Sequence, residues 1–396
     1  MKILLAHNRY QFVAGEEVVV QAEQELLQAN GHEVLLVEVD NEGIVGGWNK
    51  AKAAVSAIYS FASKKLLHEE IARFHPDIVH VHNFFPLLSP AVYDACRDAG
   101  VMVVQTLHNY RIVCPNAKLF RDGQVCEDCL GKSIPWPGIV HGCYRDSRLQ
   151  SAVVATMSSL HQLRGTWSTR VDAYIALTHF QKEKMIQAGL PAAKIAVKPN
   201  FIFDPGYPDE NASRGYALFV GRFWKEKGIT TLIEAYVKND LHLPLKIVGD
   251  GPLREALQIQ VQQAGLGHLI EFMGWQEKAN VLSLIRGAQF LIFPSVWYET
   301  FGLSVIEAFA CSVPVLASRL GCMAEIVQDG VTGLHFEVGN SEDLADKINW
   351  AQAHPAAMIK MGQQARKVYE TYYTPDTNYQ QLIAIYQQLK CNEAIA

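Results

Sequence analysis

The chain has 396 residues, of which 49% are hydrophobic and 19% are charged, and its formal net charge is -5. These values are typical of a globular protein and exclude a disordered chain, and the slight acidic excess gives no support to a nucleic-acid binder, which usually has a basic surface. Eight cysteines in a chain of this length do not resemble a disulfide scaffold. The length predicts about two domains.

The N-terminal run "KILLAHN" is too short for the apolar region of a signal peptide and is predicted to be the first strand. No window of the sequence approaches the roughly 20 apolar residues that a membrane-spanning helix needs. We therefore expect a cytoplasmic protein.

Short apolar runs alternate with helical patterns almost throughout the chain. A helix is predicted over "EEVVVQAEQELLQAN" and is closed by Gly31 in the left-handed conformation. The predicted strands are apolar on both faces, as strands of a parallel sheet covered by helices must be. The fold class is therefore α/β, with two doubly wound, Rossmann-like domains. The predicted strands are "KILLAHN", "HEVLLVEV", "DIVHVHN", "VMVVQTLHN", "AYIALT", "KIAVKPN", "YALFVGRF", "LKIVGDG", "IEFMGW", "QFLIFPS", "VPVLAS" and "GLHFE".

Residues 48–67, "WNKAKAAVSAIYSFASKKLL", mix aromatic side chains with lysines. This composition is compatible with a peripheral contact at the inner face of a membrane, beside a lipid-linked acceptor. Packing of an amphipathic helix on the sheet fits the same pattern better.

Four cysteines lie in an insert over residues 110–150 that has no evident secondary structure. Their spacing is C-x11-C-x2-C-x13-C, and a long insert of this kind needs some cross-link. A structural zinc ion held by four thiolates would provide it, and free thiols are the alternative. Disulfides fit a reducing compartment least well. The candidate ligands are Cys114, Cys126, Cys129 and Cys143.

Residues 201–215 are rich in Pro, Gly, Asp and Asn and are predicted to be a linker between the two domains. The predicted N-terminal domain covers residues 1–200, and the C-terminal domain covers 216–375. The final segment, 376–396, is predicted to be a helix that crosses back to the N-terminal domain.

Polar and glycine-rich stretches follow three predicted strands of the C-terminal half. Arg222 and Lys227 lie in "RFWKEKG", Gly249 lies in "GDGP", and Gly302 precedes a predicted helix. Ligands of open parallel sheets bind at the carboxyl ends of the strands, where helix N-termini favour anions. Two cations beside such a helix predict a diphosphate site, although the two cations without the glycine turns and the acid pair would fit solvated loop charges better.

The ordered series "GRFWKEKG", "VGDGPL", "FMGW", "PSVWYETFGLSVIEAFA" and "VLASRLGCMAEIVQDGVTGLHF" resembles the successive motifs of family-four retaining glycosyltransferases. The resemblance covers essentially residues 216–340. It implies the GT-B fold, in which two Rossmann-like domains face each other across a cleft, with the acceptor on the N-terminal domain and the nucleotide sugar on the other. The motif includes a Glu-x7-Glu pair, Glu299 and Glu307.

The resemblance also implies roles for the residues of these motifs. Glu307 would accept hydrogen bonds from the ribose of a UDP- or GDP-sugar, and Glu299 would hold hydroxyls of the transferred sugar. Arg222 and Lys227 would neutralise the departing diphosphate. Alternatives are that Glu307 is a buried acid paired with a lysine and that Glu299 caps a helix. The remaining donor-binding positions would be Gly249, the turn at Trp275 against the base, and the backbone N–H groups of Phe301, Gly302 and Leu303.

In the N-terminal domain, "HNRYQFVAGEE" resembles the family's glycine-rich turn near the phosphates, but the usual glycine pair is reduced to Ala14-Gly15. Gly15 is the one position that readily takes a positive φ. Ser312 likewise stands where the family commonly has glycine. His108, at the carboxyl end of a strand, matches the family histidine that lies against the reacting sugar. His80 and His82 fall on one face of their strand.

The sequence has no Asp-x-Asp pair of the kind that metal-dependent sugar transferases use. We therefore expect Arg222, Lys227 and the helix end to stabilise the leaving group without a catalytic metal. The resemblance implies retention of anomeric configuration without an assigned protein nucleophile or base.

The leading hypothesis is a retaining glycosyltransferase that acts on a glycan or lipid-linked saccharide in polysaccharide or glycolipid synthesis. A GT-B phosphorylase or nucleotide-sugar epimerase is the alternative. An oxidoreductase is disfavoured because no Gly-x-Gly-x-x-Gly follows the first strand. A catalytically inactive sugar-nucleotide binder is disfavoured by the intact charged residues.

Overall fold

The structure, a computed structural model, describes residues 1–9, 15–40, 54–207 and 214–393. The chain divides into two compact units. Unit 1 consists of Met1–Leu119, Cys126–Asn200 and the chain from Asn378 onward, and unit 2 consists of Phe120–Val125 and Phe201–Thr377.

Unit 1 is built on a six-stranded parallel sheet with strand order β2-β1-β3-β4-β7-β8. The first helix of unit 1, α1, ends at Ala29, and Gly31 shortly after it has a φ of 79°. The strands are β1 (Lys2–Asn8), β2 (Glu33–Val39), β3 (Ile78–Asn83), β4 (Val103–Thr106), β7 (Ala173–Ala176) and β8 (Ile195–Val197). A two-stranded hairpin, β5 (Phe120–Arg121) and β6 (Gln124–Val125), lies between β4 and β7 in the sequence and belongs to unit 2. The helices are α1 (Gly15–Ala29), α2 (Phe61–Phe74), α3 (Ala91–Asp98), α4 (Trp136–Val140), α5 (Arg148–Leu163) and α6 (His179–Gln187).

Unit 2 contains a second six-stranded parallel sheet, with strand order β11-β10-β9-β12-β13-β14. Its strands are β9 (Tyr216–Val220), β10 (Leu245–Val248), β11 (Ile270–Gly274), β12 (Ala288–Phe293), β13 (Val315–Ser318) and β14 (Gly333–Phe336). Its helices are α7 (Ile229–Lys238), α8 (Arg254–Gln263), α9 (Lys278–Arg286), α10 (Leu303–Ala310), α11 (Met323–Ile326), α12 (Ser341–Ala353) and α13 (Pro355–Tyr372), and α14 (Pro375–Glu393) follows.

The twelve predicted strands form the two parallel sheets, which confirms the predicted α/β class of two Rossmann-like domains. The central strands β3 and β4 are buried along their whole length. This burial explains why they consist of apolar runs without alternation, because helices cover both faces of a parallel sheet. Among the described helices, none combines the length and the apolar character needed to cross a bilayer.

Helix α14 supplies side chains to the core of unit 1. Leu382 and Tyr386 are fully buried there against the apolar residues of β1, β3 and β7. Asn378 donates a hydrogen bond to the carbonyl of Pro199, and it contacts Lys198 Nζ at 3.1 Å. The core of unit 1 therefore includes residues from both ends of the described chain.

The predicted linker, 201–215, is described except for residues 208–213. Its first part has no helix or strand but is held in unit 2 by Arg366 of α13. The Arg366 guanidinium contacts the Asp204 carboxylate at 2.6 Å and 2.8 Å, and Phe201 and Ile202 are buried. Arginine and carboxylate make a two-point contact of the kind that fixes geometry.

Residues 48–53 of the segment with a predicted membrane contact lie outside the described residues. The remainder leads into α2, whose N-cap Ser60 accepts a hydrogen bond from the Ser63 backbone. Leu67 and Ile71 of α2 are buried, and Tyr59 donates to Asp94 at 2.8 Å. This part of the segment packs as an amphipathic helix, and the structure gives no support to a membrane contact.

The cysteine insert carries the hairpin β5–β6 and the short helix α4. All eight cysteines of the chain are free thiols. Burial raises the pKa of the Cys129 thiol to about 12, with a smaller contribution from neighbouring Cys114. No three of the four insert sulfur atoms lie within 4.8 Å of one another, so the thiols are neighbours but are not arranged as a tetrahedral site. Structural zinc stays a prediction.

Ser312, the departure from the family's glycine, has a left-handed backbone with a φ of 55°. A side chain in this conformation costs free energy that glycine does not. The turn is also tightly packed, because a Cβ on Gly362 would lie 2.2 Å from the Ser312 carbonyl oxygen.

We predict that Ser312→Gly raises the free energy of unfolding by about 0.5–1 kcal/mol, since it relieves the left-handed strain. Ser283, exposed inside α9, is the matched control, because the same substitution in a helix lowers stability by about 0.5 kcal/mol. Urea unfolding of both variants measures the two changes, and effects of the same sign would contradict the prediction.

Candidate active site

Four loops of unit 2 that contain predicted donor-binding residues follow neighbouring strands. Arg222 follows β9, Gly249 follows β10, Trp275 follows β11, and the stretch 294–303 follows β12. These four strands are consecutive in the sheet order, and all pair in parallel. Their carboxyl ends therefore lie at one edge of the sheet, which is where ligands bind in open α/β folds.

Two glycines allow the backbone segments at this edge to approach closely. A Cβ on Gly249, at a φ of 130°, would lie 1.9 Å from the Gly221 carbonyl oxygen. A Cβ on Gly228, at a φ of 66°, would lie 1.7 Å from the Pro294 carbonyl oxygen. Both contacts exclude any side chain, so the glycines are required to bring the loops together.

Glu299 is buried and is held through one carboxylate oxygen. Lys227 Nζ contacts its Oε1 at 2.7 Å, and Ser295 Oγ donates to the same oxygen at 2.8 Å. The Cys322 thiol donates to the backbone carbonyls of Glu299 and Phe301. Both side-chain contacts are made to Oε1, so Oε2 is the oxygen that can accept from a ligand hydroxyl. The lysine pairing anticipated for Glu307 is found at Glu299.

Glu307 lies in α10 and is part-buried. Within the described part of the chain its carboxylate has no hydrogen bond or ion pair. Burial raises the pKa of this carboxyl group, and the positive charge of Lys278 opposes the rise. A part-buried carboxylate without a partner is costly unless a ligand supplies hydrogen-bond donors.

The N-terminus of α10 is formed by Phe301, Gly302 and Leu303. Gly302 is the N-cap, with a φ of 137°, and no side chain caps the first turn. A Cβ on Gly302 would lie 2.9 Å from Met323 Cε. The absence of a side-chain cap leaves the first N–H groups of the helix for an anion or a hydroxyl.

Arg222 and Trp275 present exposed side chains at the same edge. The Arg222 side chain makes no ion pair with any residue of the described ranges, and the Trp275 side chain is 72% exposed. Lys227, in contrast, is enclosed by aromatic rings as well as by Glu299, with Nζ 5.5 Å from the centroid of Trp297. Of the two cations, Arg222 is thus the one whose charge is not already paired with a carboxylate of the described residues.

The two predicted residues of the N-terminal domain, His108 and Gly15, lie in unit 1. His108 is part-buried just after β4, and its Nε2 lies 2.9 Å from His82 Nδ1. Gly15 is the first residue of α1. Ala14 and the rest of the predicted glycine-rich turn, residues 10–14, lie outside the described residues.

The carboxyl ends of β1, β3 and β4 gather four histidines. Burial, followed by the proximity of His82, lowers the pKa of His7 to about 3 and that of His80 to about 4. The same two causes hold the pKa of His108 well below its usual value. These three imidazoles are therefore neutral at pH 7.

Two family models match the chain. Residues 13–203 match "Glycosyltransferase Family 4" and residues 205–368 match "Glycosyl transferases group 1". The chain belongs to glycosyltransferase family 4. Neither family description is that of an epimerase, and that alternative has no support.

Curated relatives include a glycosyltransferase of Methanocaldococcus jannaschii, which is 41% identical over 133 residues, or 34% of this chain and 37% of the relative. The N-acetyl-alpha-D-glucosaminyl L-malate synthase of Bacillus anthracis is 30% identical over 158 residues, or 39% and 41% of the two chains. The chain therefore spans about two fifths of the length of each of these two relatives. Among solved structures, Anabaena HepE in complex with UDP and glucose matches over 100% of both chains with a TM-score of 0.70 and 17% identity. This likeness shows the GT-B fold.

Two features of the site were missed by sequence reasoning. Lys227 and Glu299 were expected to act separately, but they form an ion pair across 72 positions of sequence. Glu23, in the middle of α1, is fully buried beside His80 and His82. The sequence signal that could have indicated a buried acid was the pair His80 and His82 on one face of β3.

Acidification should destabilise the protein through its buried neutral histidines. An imidazole whose folded-state pKa is below 6.5 binds fewer protons than in the unfolded chain, so its contribution is complete above pH 6.5 and is lost as pH falls toward 3–4. His7 and His80 should each reduce the free energy of unfolding by about 2 kcal/mol between pH 7 and pH 5. Glu16, whose pKa burial raises well above its usual value, acts in the opposite direction.

Urea unfolding at pH 7, 6 and 5 measures this dependence. His7→Gln should flatten it by about one proton per molecule, whereas the exposed His242 offers a control, since His242→Gln should leave the slope unchanged. Equal slopes for all three proteins would contradict the burial of a neutral His7.

Proposed function

We propose that the protein is a retaining glycosyltransferase that transfers a sugar from a nucleotide sugar to a hydroxyl of a glycan or lipid-linked saccharide, without a catalytic metal. The observation that carries the proposal is the set of groups at one edge of the second sheet. Among the residues that the structure describes, Glu307 has no protein partner there, Arg222 has no carboxylate partner, and the N-terminus of α10 has no side-chain cap.

Each of these groups fits one part of a nucleotide sugar. A carboxylate accepts from both hydroxyls of a ribose, and the part-buried carboxylate of Glu307, which has no partner among the described residues, fits this contact. The open N-terminus of α10 and Arg222 provide donors for the diphosphate. Oε2 of Glu299 can accept from a hydroxyl of the transferred sugar. HepE was crystallised with UDP-glucose, so UDP-sugars are the first donors to test here.

The leaving nucleoside diphosphate develops negative charge that must be stabilised as its bond to the sugar breaks. In the proposed mechanism, Arg222, Lys227 and the N–H groups of α10 carry out this task. Lys227 also holds Glu299, so one side chain would orient the sugar and attract the phosphate. A single donor of this kind commonly contributes about 2.7–4 kcal/mol to transition-state stabilisation.

In the transfer step, the bond between the sugar's anomeric carbon and the phosphate oxygen breaks while the acceptor oxygen bonds to the same face of that carbon. The departing phosphate oxygen takes the acceptor's proton. The products are the glycosylated acceptor, with its configuration retained, and the nucleoside diphosphate. No carboxylate among the described residues is assigned as the base, since Glu299 is held as a positioning group by Lys227 and Ser295.

The test combines binding and turnover. UDP, GDP and ADP are compared by thermal shift, and the matching nucleoside diphosphate should stabilise the protein by about 2.7 kcal/mol at a hundredfold excess over its Kd. The corresponding nucleotide sugars are then incubated with saccharide acceptors in EDTA, and the anomeric configuration of the product is read by NMR. Full activity in EDTA supports the metal-independent mechanism.

Glu307→Gln should weaken nucleotide binding by about 10- to 100-fold, because it removes a charged hydrogen-bond acceptor. Arg222→Met should lower kcat by about 100-fold. Glu234→Gln, on α7, and Lys238→Met, its partner four residues later, are matched controls that should change neither value. Wild-type binding by Glu307→Gln, or turnover that stops in EDTA and returns with Mg²⁺, would overturn the corresponding part of the proposal.

A further inference from the structure

In the described part of the chain three lysine or arginine side chains are buried, and one of them differs from the other two. Lys198, 1% exposed, contacts the Glu23 carboxylate at 3.0 Å, and Arg366, 4% exposed, contacts that of Asp204 at 2.6 Å. Arg111, 8% exposed, makes no ion pair with any described residue. Such side chains are almost never buried without a partner, because an uncompensated charge in the interior is costly.

The guanidinium of Arg111 is engaged on one side and has unused donors on the other. Its Nη1 donates to the carbonyl of Pro115, and its Cζ lies 4.4 Å from the centroid of the Phe85 ring and 4.9 Å from that of Tyr144. Its Nε is buried without a hydrogen-bond partner, and Nη2 donates to no described residue. Nε and Nη2 form the edge through which arginine binds a carboxylate or phosphate by two parallel hydrogen bonds.

Arg111 lies in the same shallow pocket of unit 1 as His108. The pocket is also lined by His82 and Asn109, and Asn109 Oδ1 fixes the loop by accepting from the Arg111 backbone N–H at 2.9 Å. His108 is the residue predicted, from the family resemblance, to lie against the reacting sugar. An anion bound by Arg111 would therefore be carried by one of the reacting saccharides.

Glu16, in the first turn of α1, is the acid to weigh as an internal partner. Arg111 lowers its pKa, but burial and the neighbouring Glu17 raise that pKa well above its usual value. No ion pair joins Glu16 to Arg111, and a carboxyl group that resists ionisation is a poor counter-ion. The rings of Phe85 and Tyr144 attract the cation, but they leave its Nε and Nη2 donors without acceptors.

We propose that Arg111 binds an oxyanion of the acceptor, a carboxylate or a phosphate, through Nε and Nη2, and that the enzyme thereby selects acidic saccharides as acceptors. The inference rests on the proposed function, to which it adds the chemical class of the acceptor. A neutral saccharide would leave both donors of the buried guanidinium unpaired, and a site built to hydrogen-bond one group discriminates against ligands that lack it.

Binding is measured without turnover, through the ¹H–¹⁵N signal of the Arg111 Nε group in protein labelled with ¹⁵N-arginine and assigned with Arg111→Lys. Methyl glucuronoside supplies a carboxylate, glucose 6-phosphate supplies a phosphate, and methyl glucoside is the neutral control. An acidic probe should move the Nε proton signal downfield, because Nε gains an acceptor, and methyl glucoside should leave it in place. The probe with the larger shift shows which oxyanion the site prefers.

Turnover separates recognition from a structural role. Wild-type kcat/KM should be at least about tenfold higher for an acidic acceptor than for its neutral counterpart. Arg111→Met should bring this ratio close to one by raising the KM of the acidic acceptor, with the donor KM unchanged. If Arg111 only held the insert through Pro115 and Tyr144, Arg111→Met would lower both rates by the same factor and keep the ratio.

Two further variants complete the comparison. Arg145 is exposed, with Cζ 5.5 Å from the centroid of the Tyr144 ring, so Arg145→Met is the matched control and should keep the wild-type ratio and spectra. Arg111→Lys keeps the charge without the two-donor edge and should give an intermediate ratio, which provides the measurement if Arg111→Met does not fold.

An Arg111 signal that no acidic probe moves, or a ratio that survives in Arg111→Met, would overturn the inference. Equal loss of the ratio in Arg145→Met would overturn it in favour of a diffuse positive surface. A preference for nucleotide uronic acids with neutral acceptors, lost in Arg111→Met, would overturn the assignment to the acceptor. If no transferase activity is found, the proposed function fails, but the spectra still decide whether Arg111 binds an oxyanion.

Discussion

Close backbone contact at the carboxyl end of the second sheet is the constraint on which the candidate active site depends. Gly228 and Gly249 lie so near to neighbouring carbonyl oxygens that no side chain fits between them. This proximity is what allows Lys227, just before Gly228, to reach Glu299 in the loop after β12. The charged groups are thus placed by the contacts of the main chain, and the side chains add only their final orientation.

The two units deal with buried charge in different ways. Unit 1 contains a fully enclosed anion, Glu23, with a cation on one oxygen and imidazoles near the other. Such a group is tolerated inside a protein only when its partners are fixed. In the described part of unit 2, Glu307 has no partner, and Arg222 is exposed. The paired charges around Glu23 in unit 1 make a rigid framework. The unpaired groups of unit 2 make a surface that is stabilised when a polar ligand supplies their hydrogen-bond partners.

Much of the fold could be predicted because buried parallel strands have a distinct sequence pattern. All twelve predicted strands are present, with ends trimmed by one to three residues in cases such as β4 and β8. The hairpin β5–β6 was missed, since each strand has only two residues and no periodicity to detect. The positions of the predicted donor-binding residues at the carboxyl ends of neighbouring strands followed from the strand pattern, because strand ends in a parallel sheet are a topological property. Pairings such as that of Glu23 with Lys198, 175 positions away, could not be derived, because local sequence does not encode which distant side chains meet.

Helix α14 has a consequence for how the protein is made. Its buried Leu382 and Tyr386 complete the core around β1, β3 and β7, which are among the earliest strands to be synthesised. On the ribosome, unit 1 must therefore wait, with part of its apolar interior uncovered, until all of unit 2 has emerged. The core around the second sheet ends, along the chain, with Met358 and Met361 of α13, so the later half of the polypeptide can complete its core before Leu382 and Tyr386 emerge to complete that of unit 1.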